Sequence, residues 1–423
     1  MNKQQAISRP SLRGTDPQIR EAVLLIFCET PPAESLRLWQ MPEKEWERLL
    51  PWLDTSGLAL YFLDRVTQLE LCDLVPAQVI ARLQQNLRDN TLRTNSLVNE
   101  CAAIQQRFQK FGLTYALLKG FSLWPCSVPR LELRSQLDLD FLIAEECAPA
   151  AQQILEERGY RLHAVSGGSW EFKANEMRSM SLRDLYKDLP SPSVELHVES
   201  QASPVPALLH RRVNRTLWGV CTPVLSSVDL FLRQGMHLHK HIYSEFSRAA
   251  HLIEFRRHVI ARYDDTAFWQ ELQRRADGDA KVPLALGLVT LLITELMGPF
   301  APQDFTRWTV DRLPAAARLW VSVYGRRTVL AAFPGNKLYL LLQRQLAATS
   351  VAGRRSMRQA LIPQRLPPLV AHSTPDESLT DRMRRYGIQL RFLWMRMRFH
   401  IVEGLRYLYE AFRWRQLMKG LAS

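Results

Sequence analysis

The chain has 423 residues, 47% apolar and 23% charged, enough for roughly two to three domains and too apolar for a disordered or collagen-like protein. Its net charge of +13 sits mainly in the tail: residues 351–423 carry fourteen Lys/Arg against five Asp/Glu, so a polyanionic partner is expected for the tail rather than the body. Six cysteines (Cys28, Cys72, Cys101, Cys126, Cys147, Cys221) form no CxxC pair, which argues against a disulfide scaffold or zinc ribbon; with no secretory leader or 18-residue apolar run visible, a cytoplasmic protein is expected.

From Asp16 to about Gln109 the apolar residues recur at helical spacing, with polar breaks at Thr30-Pro31-Pro32 and from Asp54 to Gly57, so several packed helices are expected. Val79 to Phe108 predicts one long helix or two consecutive ones. The texture changes at Gly112. Leu113 to Leu118 reads as a buried strand running into a turn at Lys119-Gly120. Leu137 to Ile143 reads as a second strand, with Leu137, Leu139 and Phe141 pointing one way and Asp138 and Asp140 the other. A helix between Glu146 and Arg158, closed by Gly159, precedes β-like pieces at Tyr160–His163 and Trp170–Phe172. Val194 to Val198 repeats the alternation and puts Glu195 and His197 on one face.

After Ser203-Pro-Val-Pro206 the helical texture returns and lasts to about Gln345, including Leu284–Leu292 as a buried helix. A second Pro-containing break, from Ile362 to Glu377, precedes a basic C-terminal helix. The predicted fold class is α+β: a small mixed-sheet core embedded between mainly α-helical regions, with divisions at 1–111, 112–202, 203–352 and 353–423.

Two aspartates one residue apart on a strand lie on one face about 6–7 Å apart, so Asp138 and Asp140 can converge on one divalent cation. Such a pair also occurs by chance at strand edges, but burying it without a cation is costly because like charges oppose each other's ionisation. Glu195 on an adjacent strand would complete an oxygen site for Mg²⁺ or Mn²⁺. Lys119 and Gly120 sit where backbone N–H groups can cradle phosphate, with Ser122 nearby and Arg130 and Arg134 on the approach.

Downstream, His237 and His241 share a helix face at i,i+4, with His239, His251 and His258 in the neighbourhood. A zinc site would need a third ligand, and Leu238, His239 and Lys240 fill the interval where HExxH would put a glutamate. The alternatives are structural hydrogen bonding, or a cluster of His237, Lys240, His241 and Arg248 facing nucleotide or acceptor. His197 either orients Glu195 or is a satisfied structural histidine.

The set Leu117-Leu-Lys-Gly-Phe-Ser122, Arg134 followed by Asp138-Leu-Asp140-Phe-Leu-Ile143, a helix ending Glu157-Arg-Gly-Tyr160, and Val194-Glu-Leu-His197 resembles the uncharacterised nucleotidyltransferase family of the polymerase-β-like superfamily. Val224 to Leu230 followed by His237-x-x-x-His241 is similar to that family's later layout. The resemblance implies Asp138, Asp140 and Glu195 as metal ligands, and Gly120 and Ser122 as the phosphate turn. It also implies attack by an acceptor oxygen on the α-phosphorus of a nucleoside triphosphate, with pyrophosphate leaving. The acceptor, whether a small molecule, a sugar precursor or a protein side chain, stays open. The turn here is Gly120-Phe121-Ser122 rather than the superfamily's usual Gly-Gly or Gly-Ser. The rival expectation is a catalytically inactive scaffold of the same fold that docks through its basic tail.

In that tail, Leu390, Leu393, Met397, Ile401, Leu405, Leu408 and Phe412 step by three or four, as in an amphipathic helix, and Arg384, Arg391 and Arg398 recur on another side. Residues 382–419 can pack on the body with a solvated arginine face, contact an acidic protein, or lie on an anionic membrane, peripherally at its inner face. Nothing in the chain resembles a sequence-reading nucleic-acid motif.

Overall fold

The computed structural model describes residues 16–174, 184–188, 192–200, 208–245, 248–346, 359–361 and 378–422. The chain enters through α1 (Asp16–Leu25), α2 (Glu43–Ser56) and α3 (Ala59–Gln68). Gly57 ends α2 in the left-handed conformation, at φ 76°, and returns its N–H to Asp54. Val79 to Phe108 belongs to a single 34-residue helix, α4 (Ala77–Lys110). Its first half sends Val79 and Leu83 into a helical core, and its second half lays Leu97, Cys101, Ile104 and Phe108 under a sheet.

That sheet contains β1 (Tyr115–Leu118), β2 (Asp138–Ala144), β3 (Tyr160–Ser166), β4 (Ser169–Ala174), β5 (Ser193–Glu199), β6 (Val213–Leu217) and β7 (Val220–Val224), with α5 (Ala148–Glu157) between β2 and β3. Its seven strands lie in the order β3-β4-β5-β2-β1-β7-β6, with β2 parallel to β5 and antiparallel to β1. The architecture is α+β, as expected. Alternation along β2 sorts the two faces: Leu139, Phe141 and Ile143 join α4 and α5 in one core, while Asp138 and Asp140 turn away from it.

Two features depart from the expected layout. The stretch after Pro206, read as helical, begins with the hairpin β6–β7, whose β7 extends the sheet by pairing with β1. Its turn at Trp218-Gly219, with φ of 51° and 77°, supplies the positive angles that a two-residue hairpin requires. Second, the helices before and after the sheet share one core. It is built from α1–α3 together with α6 (Ser227–Ile242), α7 (Ala250–Ala261), α8 (Thr266–Ala276), α9 (Lys281–Met297), α10 (Gln303–Trp308), α11 (Ala315–Trp320), α12 (Arg326–Val329) and α13 (Tyr339–Leu346). Trp46, Phe62, Phe231, Phe255, Leu292 and Tyr324 all meet in it. A final helix, α14 (Leu379–Ala422), contributes Tyr407, Ala411 and Trp414. Among the described residues no helix is long and apolar enough to cross a membrane.

Candidate active site

Parallel pairing of β2 with β5 puts Asp140 opposite Glu195, Asp138 opposite Ser193 and Leu142 opposite His197. Asp140 is 3% exposed and its Oδ1 accepts from two cationic or potentially cationic groups: Lys119 Nζ at 2.6 Å and His197 Nε2 at 3.0 Å. Glu195 Oε2 lies 3.3 Å from His197 Nε2 and 3.6 Å from Lys119 Nζ, and its other oxygen accepts from the Ser169 hydroxyl on β4. His197 therefore bridges the two carboxylates, the orienting role that is one of its two expected readings.

The electrostatics follow from these contacts. The hydrogen bond from His197 holds the Glu195 carboxyl far below the usual range, against the opposing effect of burial and with help from Ser169. Burial works to lower the His197 pKa, but its bonds to Asp140 and Glu195 outweigh that and raise it. Asp138 is raised, first by burial and then by the neighbouring Asp140 charge.

The turn after β1 runs into a short 3₁₀ turn and brings Lys119 against the carboxylates. Lys119 takes a positive φ of 44°, which swings its amine back onto Asp140 and Glu195. Gly120 follows at φ 35°, which favours glycine, and a Cβ there would lie 2.3 Å from Gln136 Oε1, so a larger residue would have to displace that amide. Ser122 is fully buried and donates its hydroxyl to Lys119 O at 2.8 Å. The reason is local: residues 120–123 form one short 3₁₀ turn that uses Ser122 to close itself. Gly120 and Ser122 thus shape the floor without lining the cleft, whereas Lys119 lines it.

Arg134 is also committed. Its Nε donates to Glu254 on α7 at 3.1 Å, and Glu254, 2% exposed, accepts from Tyr61 Oη at 3.0 Å. This buried pair ties the approach to β2 to the helical core. Arg130 pairs instead with Asp64 at 3.1 Å. Glu254 carries no sequence signal beyond an acid on an apolar helix, and Gln136, Ser169 and Arg233 are equally silent in the sequence.

Facing the carboxylates across a cleft of about 1520 Å³ are α6 and α7. His237, Lys240 and Arg233 from α6 and His251 from α7 line it, and His241 packs behind. His251 is the third imidazole that helical spacing could not place: one ring nitrogen each of His237, His241 and His251 lies within 4.8 Å of the others, with His237 and His241 Nε2 atoms 3.0 Å apart. Burial, and then His241, Lys119, Arg134 and Lys240, push His237 down to about 3. Burial and Arg248 take His251 well below its ordinary value. Burial thus disfavours the charged form of His237 and His251, yet the cations around the cluster oppose a dication and favour an anion. Arg233 makes no hydrogen bond or ion pair with the described residues and faces the cleft.

Hard carboxylate oxygens beside one imidazole, Asp140, Glu195 and His197 with ligand atoms within 4.8 Å of one another, suit a divalent cation. Asp138 lies on the same strand face and lines the cleft, outside that group of three. A mixed sheet bearing an Asp-x-Asp pair beside a third carboxylate thus faces a helical wall that carries Arg233 and Lys240. The model of the family described as uncharacterised nucleotidyltransferase matches residues 42–298, and the chain belongs to that family. No curated protein matches it.

Proposed function

We propose that the protein transfers a nucleoside monophosphate from a nucleoside triphosphate to a hydroxyl-bearing acceptor, with Mg²⁺ or Mn²⁺ as cofactor. The observation that carries the reading is the juxtaposition of Asp138, Asp140 and Glu195 on adjoining strands, with Asp138 and Glu195 lining a cleft, Asp140 buried beside them, and Arg233 and Lys240 among the residues of its opposite wall. Asp138, Asp140 and Glu195 would hold the cation, which when bound supplies charge neutralisation for the phosphates. Arg233, Lys240 and the histidine wall receive the phosphate chain and orient its α-phosphorus over the carboxylates. The acceptor oxygen forms the new bond to that phosphorus, the α–β phosphoanhydride bond breaks, and the hydroxyl proton leaves to a site carboxylate or solvent as pyrophosphate departs. Lys119 is the resident counter-ion of Asp140 and would have to yield that place as the cation enters.

The Lys119–Asp140 bond also supports a second reading, a non-catalytic scaffold in which the lysine permanently replaces the metal. Calorimetric titration with non-hydrolysable α,β-analogues of the four ribonucleoside triphosphates separates the two. Transfer predicts nucleotide binding that requires Mg²⁺ or Mn²⁺ and is lost in D138N/D140N. Metal-independent binding, or none, supports the scaffold.

A further inference from the structure

The C-terminal helix reaches the body with the side opposite to the one its apolar periodicity suggests. Phe399, Glu403, Tyr407, Glu410, Ala411 and Trp414 are the buried positions among the described residues of α14. Glu410 accepts from Tyr324 Oη at 3.1 Å and from Arg327 at 2.6 Å, and His400 Nδ1 lies 2.7 Å from Lys337 Nζ. The helix is thus anchored by a partly polar seam. The stripe of Leu390, Trp394, Ile401, Leu405, Leu408 and Phe412 points outward, each residue between 55 and 65% exposed.

At 1.5 Å per residue this stripe runs for roughly 33 Å. Contiguous apolar surface of that size is not a neutral feature of a protein exterior. At 3.6 residues per turn, Arg391, Arg398 and Arg413 fall along one edge of the stripe, all exposed. Arg391 and Arg398 make no ion pair among the described residues. The two acidic residues of this stretch, Glu403 and Glu410, are both turned inward, so the outer surface is apolar and cationic with no compensating carboxylate. Two copies packed through this surface would set arginine edges beside one another. An acidic bilayer complements both components, taking the apolar stripe into the headgroup boundary and the arginines against lipid phosphates.

We propose that the outer face of α14 is a membrane-surface docking site that lies in the interface of an anionic bilayer. The stripe and its arginine edge are independent of the catalytic reading. The test is flotation of the full chain with vesicles of phosphatidylcholine alone or with 30% phosphatidylserine, alongside I401E/L408E and R391E/R398E. Both substituted pairs are exposed, and an unchanged thermal unfolding midpoint verifies that each variant is folded. The expected result is at least tenfold stronger partitioning to the anionic vesicles, weakened by salt, with a loss of at least tenfold in each variant. Failure of the wild-type chain to float overturns the proposal. So does flotation that both variants retain. Self-association abolished by I401E/L408E, without vesicle binding, would assign the face to a second copy instead.

Discussion

The two walls of the cleft present clusters of similar tightness and opposite chemistry. Asp140, Glu195 and His197 on the sheet, and His237, His241 and His251 on the helices, each bring three donor atoms within 4.8 Å. Ligand geometry alone would make both of them metal sites. The surrounding charge separates them: the sheet cluster is carboxylate-rich and draws Lys119 into itself, whereas the helix cluster consists of imidazoles crowded by Lys119, Arg134, Lys240 and Arg248. One wall asks for a cation and the other for an anion, which is the polarity a metal–triphosphate complex needs.

The contrast is tested most severely by D140N. Loss of transfer by at least several kcal/mol, on the order of 10³-fold, is expected in a steady-state assay of pyrophosphate release, with a cooperative thermal unfolding transition verifying that the variant is folded. A variant retaining full metal-dependent activity would remove the sheet wall from the chemistry. Next in size is E254A, which strands the largely buried Arg134 between the two walls and should cost about 3–5 kcal/mol in urea denaturation; E254Q, able to keep one hydrogen bond, should cost less.

The pH dependence of stability divides the two walls by sign. His237 titrates near 3 in the fold and near 6.5 when unfolded, so the unfolded chain binds more protons as pH drops. Stability should therefore fall below about pH 6.5, by about 2 kcal/mol for this histidine at pH 5, and H237N should flatten that limb. His197 acts oppositely. Its raised folded pKa gives a contribution that is complete below the unfolded value and is lost as pH rises through the folded one, so H197N should flatten the alkaline side. Denaturation midpoints from pH 5 to 9 check both signs.

A smaller effect belongs to Lys119. Removing the resident ammonium in K119M should tighten Mn²⁺ binding in the absence of nucleotide by about three- to tenfold, read by calorimetry. Zn²⁺ binding that disappears in H251A would break the comparison altogether, by showing that the cationic surroundings do not bar a metal from the helix wall.

How much of the molecule is legible in its sequence depends on the range of the interaction. Alternation in Asp138-Leu-Asp140 and in Glu195-Leu-His197 is enough to place the charged residues on one strand face, because side-chain direction in a strand follows from position alone. The strands, the helix ending at Gly159 and the α+β class are visible for the same local reason. The hairpin β6–β7 escapes such a reading: five-residue strands, one containing Pro223, leave little period to detect. The packing of the turn is equally hidden, because the Gly120-Phe121-Ser122 pattern says nothing of Gln136 filling the space above it or of Ser122 closing on Lys119.

By itself, then, the sequence determined which residues share a strand face or a helix stripe, and through its motifs the family to which the chain belongs. Only the tertiary structure decided what each face meets. It brought His251 to His237 and His241, gave Arg134 to Glu254, folded Lys119 onto Asp140, and turned the apolar stripe of α14 outward. Periodicity is a property of a few consecutive residues, whereas the covering of a face depends on pairings between different elements, such as Arg134 with Glu254, where packing and charge compensation across the whole chain choose the partner.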